Sequence, residues 1–328
     1  MRKKIIFGAP VYFDLHKMMI KNLENAGFDV FSIAMDEDFK YENLILRAKN
    51  LFKKKILRDK NYKRRVLYYN YKQKQLEPLL SIFNQNYFDY ALVIRPDIYP
   101  KEILNKLKKI SKKTIAYQWD GIERFYGTKS RISLFDKFFV FDHKDYSKYS
   151  TKYPNLHITH NFYSNFDSEI KTDKVDIYYL GAEQKDRVSS LIKILSLINT
   201  ENLKLKLFIL SSNDKSDFPP LIKRIKRPLS YEENIANIKN TKVLIDINPI
   251  EHTGLSFRFF ECIKYGVKII TTNESVTRYN FYSDENIFII GKDNIKEISS
   301  FLNTPYKPLP LKTYESYSFH SWIYNVLK

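Results

Sequence analysis

The sequence is poor in cysteine and has no long apolar run. Its single cysteine, Cys262, excludes an internal disulfide and fits a reducing compartment. No uninterrupted run of about 18 apolar residues occurs, so the sequence predicts no membrane-spanning helix. Near the start, Gly8, Pro10, Asp14 and His16 interrupt the apolar residues, so we predict no signal peptide. These absences favour a cytoplasmic protein.

Acidic residues are scarce relative to basic ones. The 37 Asp and Glu residues stand against 55 Lys and Arg residues, which gives a formal net charge of +18. Such an excess is typical of proteins that bind polyanions, such as nucleic acid, anionic lipid or phosphorylated substrates. An A/T-rich coding sequence, which is rich in Lys, Ile, Asn, Tyr and Phe codons, explains the same excess. Local clustering of charge is therefore better evidence than the total.

The remaining composition indicates a globular protein of two domains. Apolar residues make up 44% of the 328 residues, which is enough for two cores in domains of about 150 residues each. Apolar runs alternate with amphipathic segments in both halves, beginning with a strand, a helix and a strand over 4–8, 16–26 and 29–34. This pattern predicts an α/β fold of two Rossmann-like, doubly wound domains. We place a linker in 152–174, which gives domains over 1–172 and 173–312 and a final helix in 313–328.

The most basic segment is 47–74. It holds twelve Lys or Arg residues and one acid, Asp59, with no Pro or Gly. Apolar and aromatic residues are interleaved with the basic ones, which predicts one or two basic amphipathic helices inserted in the first domain. Such helices bind anionic lipid or a phosphate-bearing acceptor. A solvated helical face packed on the sheet by its apolar side is the alternative.

The strongest candidate site lies in the second domain, after the strand that ends at Asp246. A loop containing Gly254 leads from this strand into a helix that begins near Phe257. A glycine at this point lets backbone approach a ligand closely. The N–H groups of Leu255 and Ser256 then lie at a helix N-terminus, where an anion is favoured.

Charged and polar side chains add to this site. Arg258 can form charge-assisted hydrogen bonds to a phosphate, and Glu261, one turn further, can accept hydrogen bonds from ribose hydroxyls. Arg187 follows the first strand of the second domain and is placed to offset charge on a departing diphosphate. Thr272 ends another strand beside the predicted site. The alternative is an ordinary capped loop–helix junction with Glu261 exposed and Arg187 on the surface.

At these residues the chain resembles a family. The segment Thr253-Gly-Leu-Ser-Phe-Arg-Phe-Phe-Glu261, which continues to Asn273, is similar to the donor-site signature of GT-B glycosyltransferases. In that signature a Gly-containing loop opens a helix whose Glu holds the ribose of the nucleotide sugar. The resemblance is greatest to bacterial enzymes of lipopolysaccharide, capsule and other surface-polysaccharide assembly. Shorter matches to the same enzymes occur elsewhere in the chain, in the same order as in the family: Tyr117-Gln-Trp-Asp120, Phe135-Asp136, Phe141-Asp142, Leu180-Gly181, Asp186-Arg187 and Tyr279-Asn-Phe-Tyr282.

The resemblance implies a GT-B fold whose two domains face a cleft and whose final helix crosses back to the first domain. It implies a nucleotide-sugar donor on the second domain and a lipid-linked or phosphorylated oligosaccharide acceptor on the first. The enzyme would use no bound metal and no cofactor besides this co-substrate, and we expect no nucleic acid partner. The segment 47–74 would hold it against the inner face of the cell membrane.

The resemblance leaves the stereochemistry open. Retaining members often carry a second Glu eight positions before the ribose Glu, but Thr253 stands there and the nearest acid is Glu251. We favour inversion, which needs a general base for the acceptor hydroxyl. Asp14 and Asp120 are preferred for this role over His16, because a His at a helix start more often caps or packs.

Two other functions remain open at this stage. One keeps the fold and changes the reaction, for example to that of a nucleotide-sugar epimerase or hydrolase. The other is a non-enzymatic nucleic-acid-binding protein that uses the basic segment on phosphates. A nucleic-acid-binding function would not explain why the chain carries the donor-site signature.

Overall fold

The computed structural model describes residues 2–214, 217–248 and 253–328. Their contacts divide the chain into two compact units. Unit 1 contains 2–12, His16–Thr159 and Val326–Lys328, and unit 2 contains Phe13–Leu15 and His160–Asn325. Within the described residues, no helix is both long enough and apolar enough to span a bilayer.

Unit 1 is built on a six-stranded sheet in which every neighbouring pair is parallel. The strand order is β2-β1-β3-β4-β5-β6. The second halves of the central strands are mostly apolar and are buried, as expected for strands covered on both faces. The strands are β1 Lys3–Gly8, β2 Phe28–Ser32, β3 Phe88–Ile94, β4 Ser111–Gln118, β5 Lys137–Val140 and β6 Leu156–Ile158.

The helices of this part of the chain connect these strands. Between β2 and β3 the basic segment forms two helices and, between them, a π-helical segment, Lys63–Tyr68. A short 3₁₀ turn, Pro96–Ile98, follows β3 directly. The α-helices are α1 Leu15–Asn25, α2 Leu44–Lys55, α3 Tyr69–Ser81, α4 Lys101–Ile110 and α5 His143–Tyr149.

Unit 2 also has a six-stranded sheet of parallel pairs, with the order β12-β11-β10-β7-β8-β9. The chain moves outward from β7 in one direction and then returns to β10 and moves outward in the other. The sheet therefore has a topological switch point between β7 and β10, where doubly wound sheets bind ligands. The strands are β7 Val175–Ala182, β8 Leu205–Leu210, β9 Ile222–Ile225, β10 Thr241–Asp246, β11 Lys268–Thr271 and β12 Ile287–Ile289.

The helices of unit 2 have clear end signals. A capping box between Ser230 and Glu233 opens α7, and Gly266, at φ 64°, ends α8 in the left-handed conformation that the sequence predicts. The helices are α6 Lys185–Ser196, α7 Tyr231–Lys239, α8 Phe257–Tyr265, α9 Ile298–Asn303, α10 Leu311–Ser316 and α11 Phe319–Leu327.

The predicted α/β fold class is confirmed, with differences in detail. The sequence predicts a linker over 152–174, but β6 lies within it, and β9 forms where no element is predicted. Both are edge strands of three or four residues with His, Lys or Arg among the apolar positions, so they carry almost no pattern. The single helix expected over 314–327 is two helices, α10 and α11. The contacts divide the chain after Thr159, whereas the sequence analysis places the boundary after 172.

Candidate functional site

A cavity of about 360 Å³ lies in unit 2 at the switch point between β7 and β10. Its walls come from the end of β7, from the end of β8 and from the first residues of α6, α7 and α8. The apolar part of the wall includes Leu180, Leu210, Pro228 and Leu229. An apolar cavity with a few convergent polar groups is the usual form of a small-molecule site.

Three helix N-termini contribute polar residues to this cavity. Ser256 is the N-cap of α8, Ser230 is the N-cap of α7, and Arg187 lies in the first turn of α6. The helix dipole at such ends favours an anion. At α7 the N–H groups of Tyr231 and Glu233 already donate to the Phe13 carbonyl and to Ser230 Oγ. This arrangement suits a diphosphate better than a neutral ligand.

A buried carboxylate fixes the start of α8. Asp246, the last residue of β10, is 3% exposed and accepts a hydrogen bond of 2.9 Å from Ser256 Oγ. Arg258 Nη1 lies 3.3 Å from the same carboxylate, and 28% of the Arg258 side chain is exposed. Arg258 is thus oriented by an ion pair while part of its guanidinium still faces the cavity.

Glu261 lies three residues further along α8 and lines the same cavity. It is 2% exposed, and its Oε2 has no hydrogen-bond partner among the residues that the structure describes. Burial raises the pKa of Glu261 to about 7, although the charges of Arg258 and Lys264 oppose the change. A buried acceptor without a partner is costly in a folded protein, so such a group calls for a ligand or an ordered water.

Gly181, near the end of β7, lines the cavity and is closely approached by the side chain of Tyr179. A Cβ placed on Gly181 would lie 2.3 Å from the hydroxyl oxygen of Tyr179. Tyr179 is buried, which raises the pKa of its hydroxyl to about 12. Only glycine therefore fits at this strand end without displacement of the tyrosine.

The cavity brings together four of the predicted binding residues: Arg187, Ser256, Arg258 and Glu261. Among the described residues that line it, the other three predicted positions do not occur. The main-chain oxygens of Leu255 and Gly254 accept hydrogen bonds from Asn161 and Asn273, at 2.9 and 3.5 Å. Thr272 Oγ1 accepts a bond of 3.0 Å from the N–H of Asn248. These hydrogen bonds show that the three positions support the loop. Glu251, the acid nearest to the position of the second Glu in retaining members, lies outside the described residues.

The sequence analysis missed several lining residues. Gly181 was noted only as part of a motif, and Ser230, Tyr231 and Asn234 were not considered. A usable signal existed in the capping box that begins at Ser230, because it marks a helix N-terminus after a strand.

A second polar cluster lies in unit 1, after the carboxyl ends of β3 and β4. Arg95 is 1% exposed and forms two hydrogen bonds of 2.7 Å to Asp97, which is completely buried. Arg95 has a left-handed backbone, with φ 55° and ψ 62°, which is uncommon for a residue other than glycine. Such strain persists where surrounding contacts enforce it and is frequent at functional sites.

The basic segment contributes to this cluster. Arg64 Nη1 lies 3.0 Å from Glu37, and Arg64 Nη2 lies 3.5 Å from Asp97. Glu37 also accepts a hydrogen bond from the hydroxyl of Tyr12. The sequence analysis found none of these partners, because Glu37, Arg64 and Asp97 are distant in sequence.

The candidate bases lie near the strand ends of the first half. Asp120 Oδ1 is 2.6 Å from Arg124, and its Oδ2 is 3.9 Å from Arg95. Asp14 is half-buried with a left-handed backbone at φ 60°, within the three residues that group with unit 2. His16 is half-buried in the first turn of α1. Their catalytic role stays a prediction.

The fold is shared with solved structures of known proteins. An α,α-trehalose-phosphate synthase (UDP-forming) from Burkholderia xenovorans, in complex with glucose-6-phosphate, matches 100% of this chain and 96% of its own, with a TM-score of 0.54 and 9% identity. The N-terminal domain of trehalose-6-phosphate phosphatase from Candida albicans matches with a TM-score of 0.55 and 10% identity, over 100% and 93% of the two chains. OtsA without ligand matches with a TM-score of 0.50 and 7% identity, over 99% and 95%.

These likenesses establish the fold class. The chain has the two-domain α/β fold of GT-B glycosyltransferases, as the sequence predicts. No family model and no curated protein sequence matches the chain.

Proposed function

We propose that the protein is a glycosyltransferase that takes a sugar from a nucleotide-activated donor. The observation that carries the proposal is Glu261, a buried carboxylate whose Oε2 has no hydrogen-bond partner among the described residues, in a cavity that Arg258 and Arg187 also line. Ribose hydroxyls are the donors that such a carboxylate lacks, and a diphosphate is the anion that the two guanidinium groups and three helix N-termini favour.

The reaction follows from these roles. The acceptor hydroxyl oxygen forms a bond to the anomeric carbon of the donor sugar while the bond from that carbon to the diphosphate breaks. The nucleoside diphosphate leaves with the electron pair, and Arg187 and Arg258 offset its charge. A general base takes the proton of the acceptor hydroxyl, and we favour inversion at the anomeric carbon. We propose no metal in this step.

We place the acceptor on unit 1, at the strand ends that carry the Arg95 cluster. Asp14, Asp120 and His16 remain the candidate bases. Asp120 already contacts Arg95 and Arg124, so it would have to exchange one of these contacts for the acceptor hydroxyl. Arg64 and Arg124, which are partly exposed beside Arg95, suit a phosphorylated or lipid-diphosphate-linked oligosaccharide of bacterial surface-glycan assembly.

The basic segment 47–74 also suggests where in the cell the enzyme acts. We propose a cytoplasmic enzyme that attaches reversibly to the anionic inner face of the cell membrane through this segment. Near an anionic surface each Lys or Arg contributes about 1 kcal/mol, so a few aligned side chains suffice.

The first test is thermal stabilisation by UDP, GDP, CMP, dTDP and ADP. We expect one nucleotide to raise the melting temperature of the wild type and to lose this effect in Glu261→Ala. Glu201→Ala, an exposed carboxylate outside the cavity, is the matched control and should keep the effect. Stabilisation that persists in Glu261→Ala would contradict the proposed site.

Two results would favour the other functions. Release of free sugar or of an epimerised nucleotide sugar, at a rate that no acceptor changes, would indicate a hydrolase or epimerase. Absence of any nucleotide effect together with salt-sensitive binding of DNA or RNA would indicate a nucleic-acid-binding protein.

A further inference from the structure

Helix α2, Leu44–Lys55, presents an apolar face to the surface. Asn43 caps its start, with the side chain accepting a hydrogen bond of 2.9 Å from the N–H of Leu46. No residue of the helix is buried. Five large apolar side chains of α2 and its C-cap are between 49% and 79% exposed: Leu44, Ile45, Leu51, Phe52 and Ile56.

These side chains share one side of the helix. At about 100° per residue they form, with Ala48, a stripe about 140° wide. The opposite side carries Leu46, Asn50 and Lys53, which are half-buried. Asn50 donates a hydrogen bond of 2.9 Å to the hydroxyl of Tyr41. The polar side is thus used to attach the helix, and the apolar side is turned outward, which reverses the usual arrangement of a surface helix.

Basic residues flank this apolar stripe. In helical projection Arg47 and Lys54 border one edge, Lys49 borders the other, and Lys55 lies within the stripe. No acidic residue occurs between Glu42 and Asp59. Long basic side chains beside an apolar stripe place their charges at the level of lipid headgroups while the stripe enters the acyl region.

Most apolar and aromatic side chains in the second half of the basic segment are turned inward. Lys72 is 2% exposed and forms an ion pair of 2.8 Å with Asp36. Arg64 belongs to the Arg95 cluster, and Tyr62, Leu67, Tyr68 and Tyr69 are buried. The exposed large apolar side chains of the segment therefore belong to α2 and the turn that follows it, whereas the second half exposes charges such as Lys63 and Lys74.

We propose that α2 is an interfacial helix that lies in the surface of an anionic bilayer, with Leu44, Ile45, Leu51, Phe52 and Ile56 inserted. The inference rests on the proposed membrane contact of the segment 47–74 and assigns that contact to α2. A second copy of this chain is a poorer occupant, because two such helices would bring six positive charges each, from Arg47 to Arg58, into one apolar interface.

The test is co-sedimentation with phosphatidylcholine vesicles that contain or lack phosphatidylglycerol. We expect the wild type to bind the anionic vesicles and to dissociate at high salt. The double variant Leu51→Ser/Phe52→Ser should bind at least about tenfold more weakly, because two inserted apolar side chains are lost. Since α2 buries no side chain, this variant should fold.

The matched control is Leu79→Ser/Ile82→Ser, which removes two side chains that are 52% and 74% exposed elsewhere on the surface of unit 1. It should bind the vesicles like the wild type. Equal loss in both double variants, equal binding to neutral vesicles, or no vesicle binding would overturn the inference. A change of oligomeric state in Leu51→Ser/Phe52→Ser without vesicle binding would identify a second copy as the occupant instead.

The nucleotide assay separates this inference from the proposed transferase function. If vesicle binding fails while the nucleotide still stabilises the protein through Glu261, the membrane attachment and its assignment to α2 are wrong and the transferase function stands. If the vesicles are bound as expected and no nucleotide has an effect, the surface assignment stands and the transferase function does not. Duplex DNA, used as a second polyanion, should not depend on Leu51 and Phe52.

Discussion

At the scale of single residues, Glu261 links stability to function. Its Oε2 lacks a hydrogen-bond partner among the described residues, and its pKa is raised to about 7 by burial. A carboxyl with a raised pKa keeps its proton in the folded state at pH values where the unfolded chain has lost it. Stability therefore falls as the pH rises from about 4.5 towards 7 and stays low above that range.

Replacement of Glu261 by glutamine should remove this pH dependence. The amide stays neutral, so Glu261→Gln should gain stability relative to the wild type as the pH rises from 5 to 8, by about 3 kcal/mol in total. Urea unfolding at several pH values measures the difference, with Glu201→Gln as the exposed control. Parallel curves for wild type and Glu261→Gln would show that the carboxylate is not destabilised by its site.

Gly181 gives a second prediction at this scale. A Cβ at this position would lie 2.3 Å from Tyr179 Oη and 2.8 Å from Cζ, so Gly181→Ala should lower the free energy of unfolding by about 1–3 kcal/mol. Tyr179→Phe removes the nearer of the two atoms. The double variant should therefore recover part of the loss, and a double-mutant cycle measures the coupling. Strictly additive effects would contradict the steric argument.

Some of the predicted site residues line the cavity and others do not, for a physical reason. Arg258 and Glu261 are one turn apart on a helix, so their common direction follows from helical geometry. Gly254, Leu255 and Thr272 lie in or beside a loop, and their role as supports depends on hydrogen bonds to Asn161, Asn248 and Asn273. Spacing along the chain does not encode those partners.

At the scale of elements, the π-helical segment Lys63–Tyr68 shows how the basic insertion is fixed to unit 1. It carries Arg64 to the buried pair of Arg95 and Asp97, and the Tyr69 hydroxyl donates a hydrogen bond of 2.8 Å to the carbonyl of Asp97. A π-helical segment inserted in a helical region often marks a functional or constrained position. The insertion is therefore part of the fold of unit 1 from Arg64 onward.

Asp97→Asn tests this attachment. The change removes one charge from a buried ion pair and leaves Arg95 and Arg64 without their shared carboxylate, which typically costs about 3–5 kcal/mol. Asp59→Asn is the matched control in the same insertion, because its partner Arg65 is half-exposed and such pairs contribute at most about 1 kcal/mol. Urea unfolding measures both. A similar small effect of the two variants would show that the buried pair does not fix the insertion.

Elements with strong periodicity were predictable, and elements defined by their neighbours were not. The long apolar strands and α4 follow from their patterns alone. The edge strands β6 and β9 exist because β5 and β8 offer unpaired backbone groups. For the segment 47–74 the pattern indicated helices, but only tertiary contacts such as Lys72 with Asp36 determine which basic residues face inward.

At the scale of the whole molecule, the basic residues behind the net charge of +18 differ in whether they can reach an external anion. Arg95 and Lys72 are buried in ion pairs, and Arg131, also buried, donates to main-chain oxygens, so these three bind no external anion. Six basic residues without an acid lie between Arg47 and Arg58. The fold class was predictable from the alternation of strands and helices, whereas this division of charge required the tertiary structure.

Metal removal gives a prediction for the molecule as a whole. Within the ranges that the structure describes, no group of three or more His, Cys, Asp or Glu side chains is arranged to hold a metal ion. We expect stabilisation by the bound nucleotide to persist in excess EDTA, because Arg187, Arg258 and the helix ends would balance the charge of the diphosphate. Loss of the effect in EDTA and its return with Mg²⁺ or Mn²⁺ would contradict a metal-independent site.

Hydrogen exchange locates the nucleotide within the molecule. If the donor binds at the switch point of unit 2, the nucleotide that stabilises the protein should slow amide exchange at the starts of α6 and α8. These two N-termini line the cavity, and their N–H groups would face the anion. At the start of α7, Tyr231 and Glu233 already donate to protein oxygens, so a smaller change is expected there. In Glu261→Ala the same nucleotide should leave these amides unchanged, while Glu201→Ala should behave like the wild type. Protection that appears mainly in β1–β6 instead would move the nucleotide to unit 1 and would remove the physical basis for assigning Glu261 to the donor.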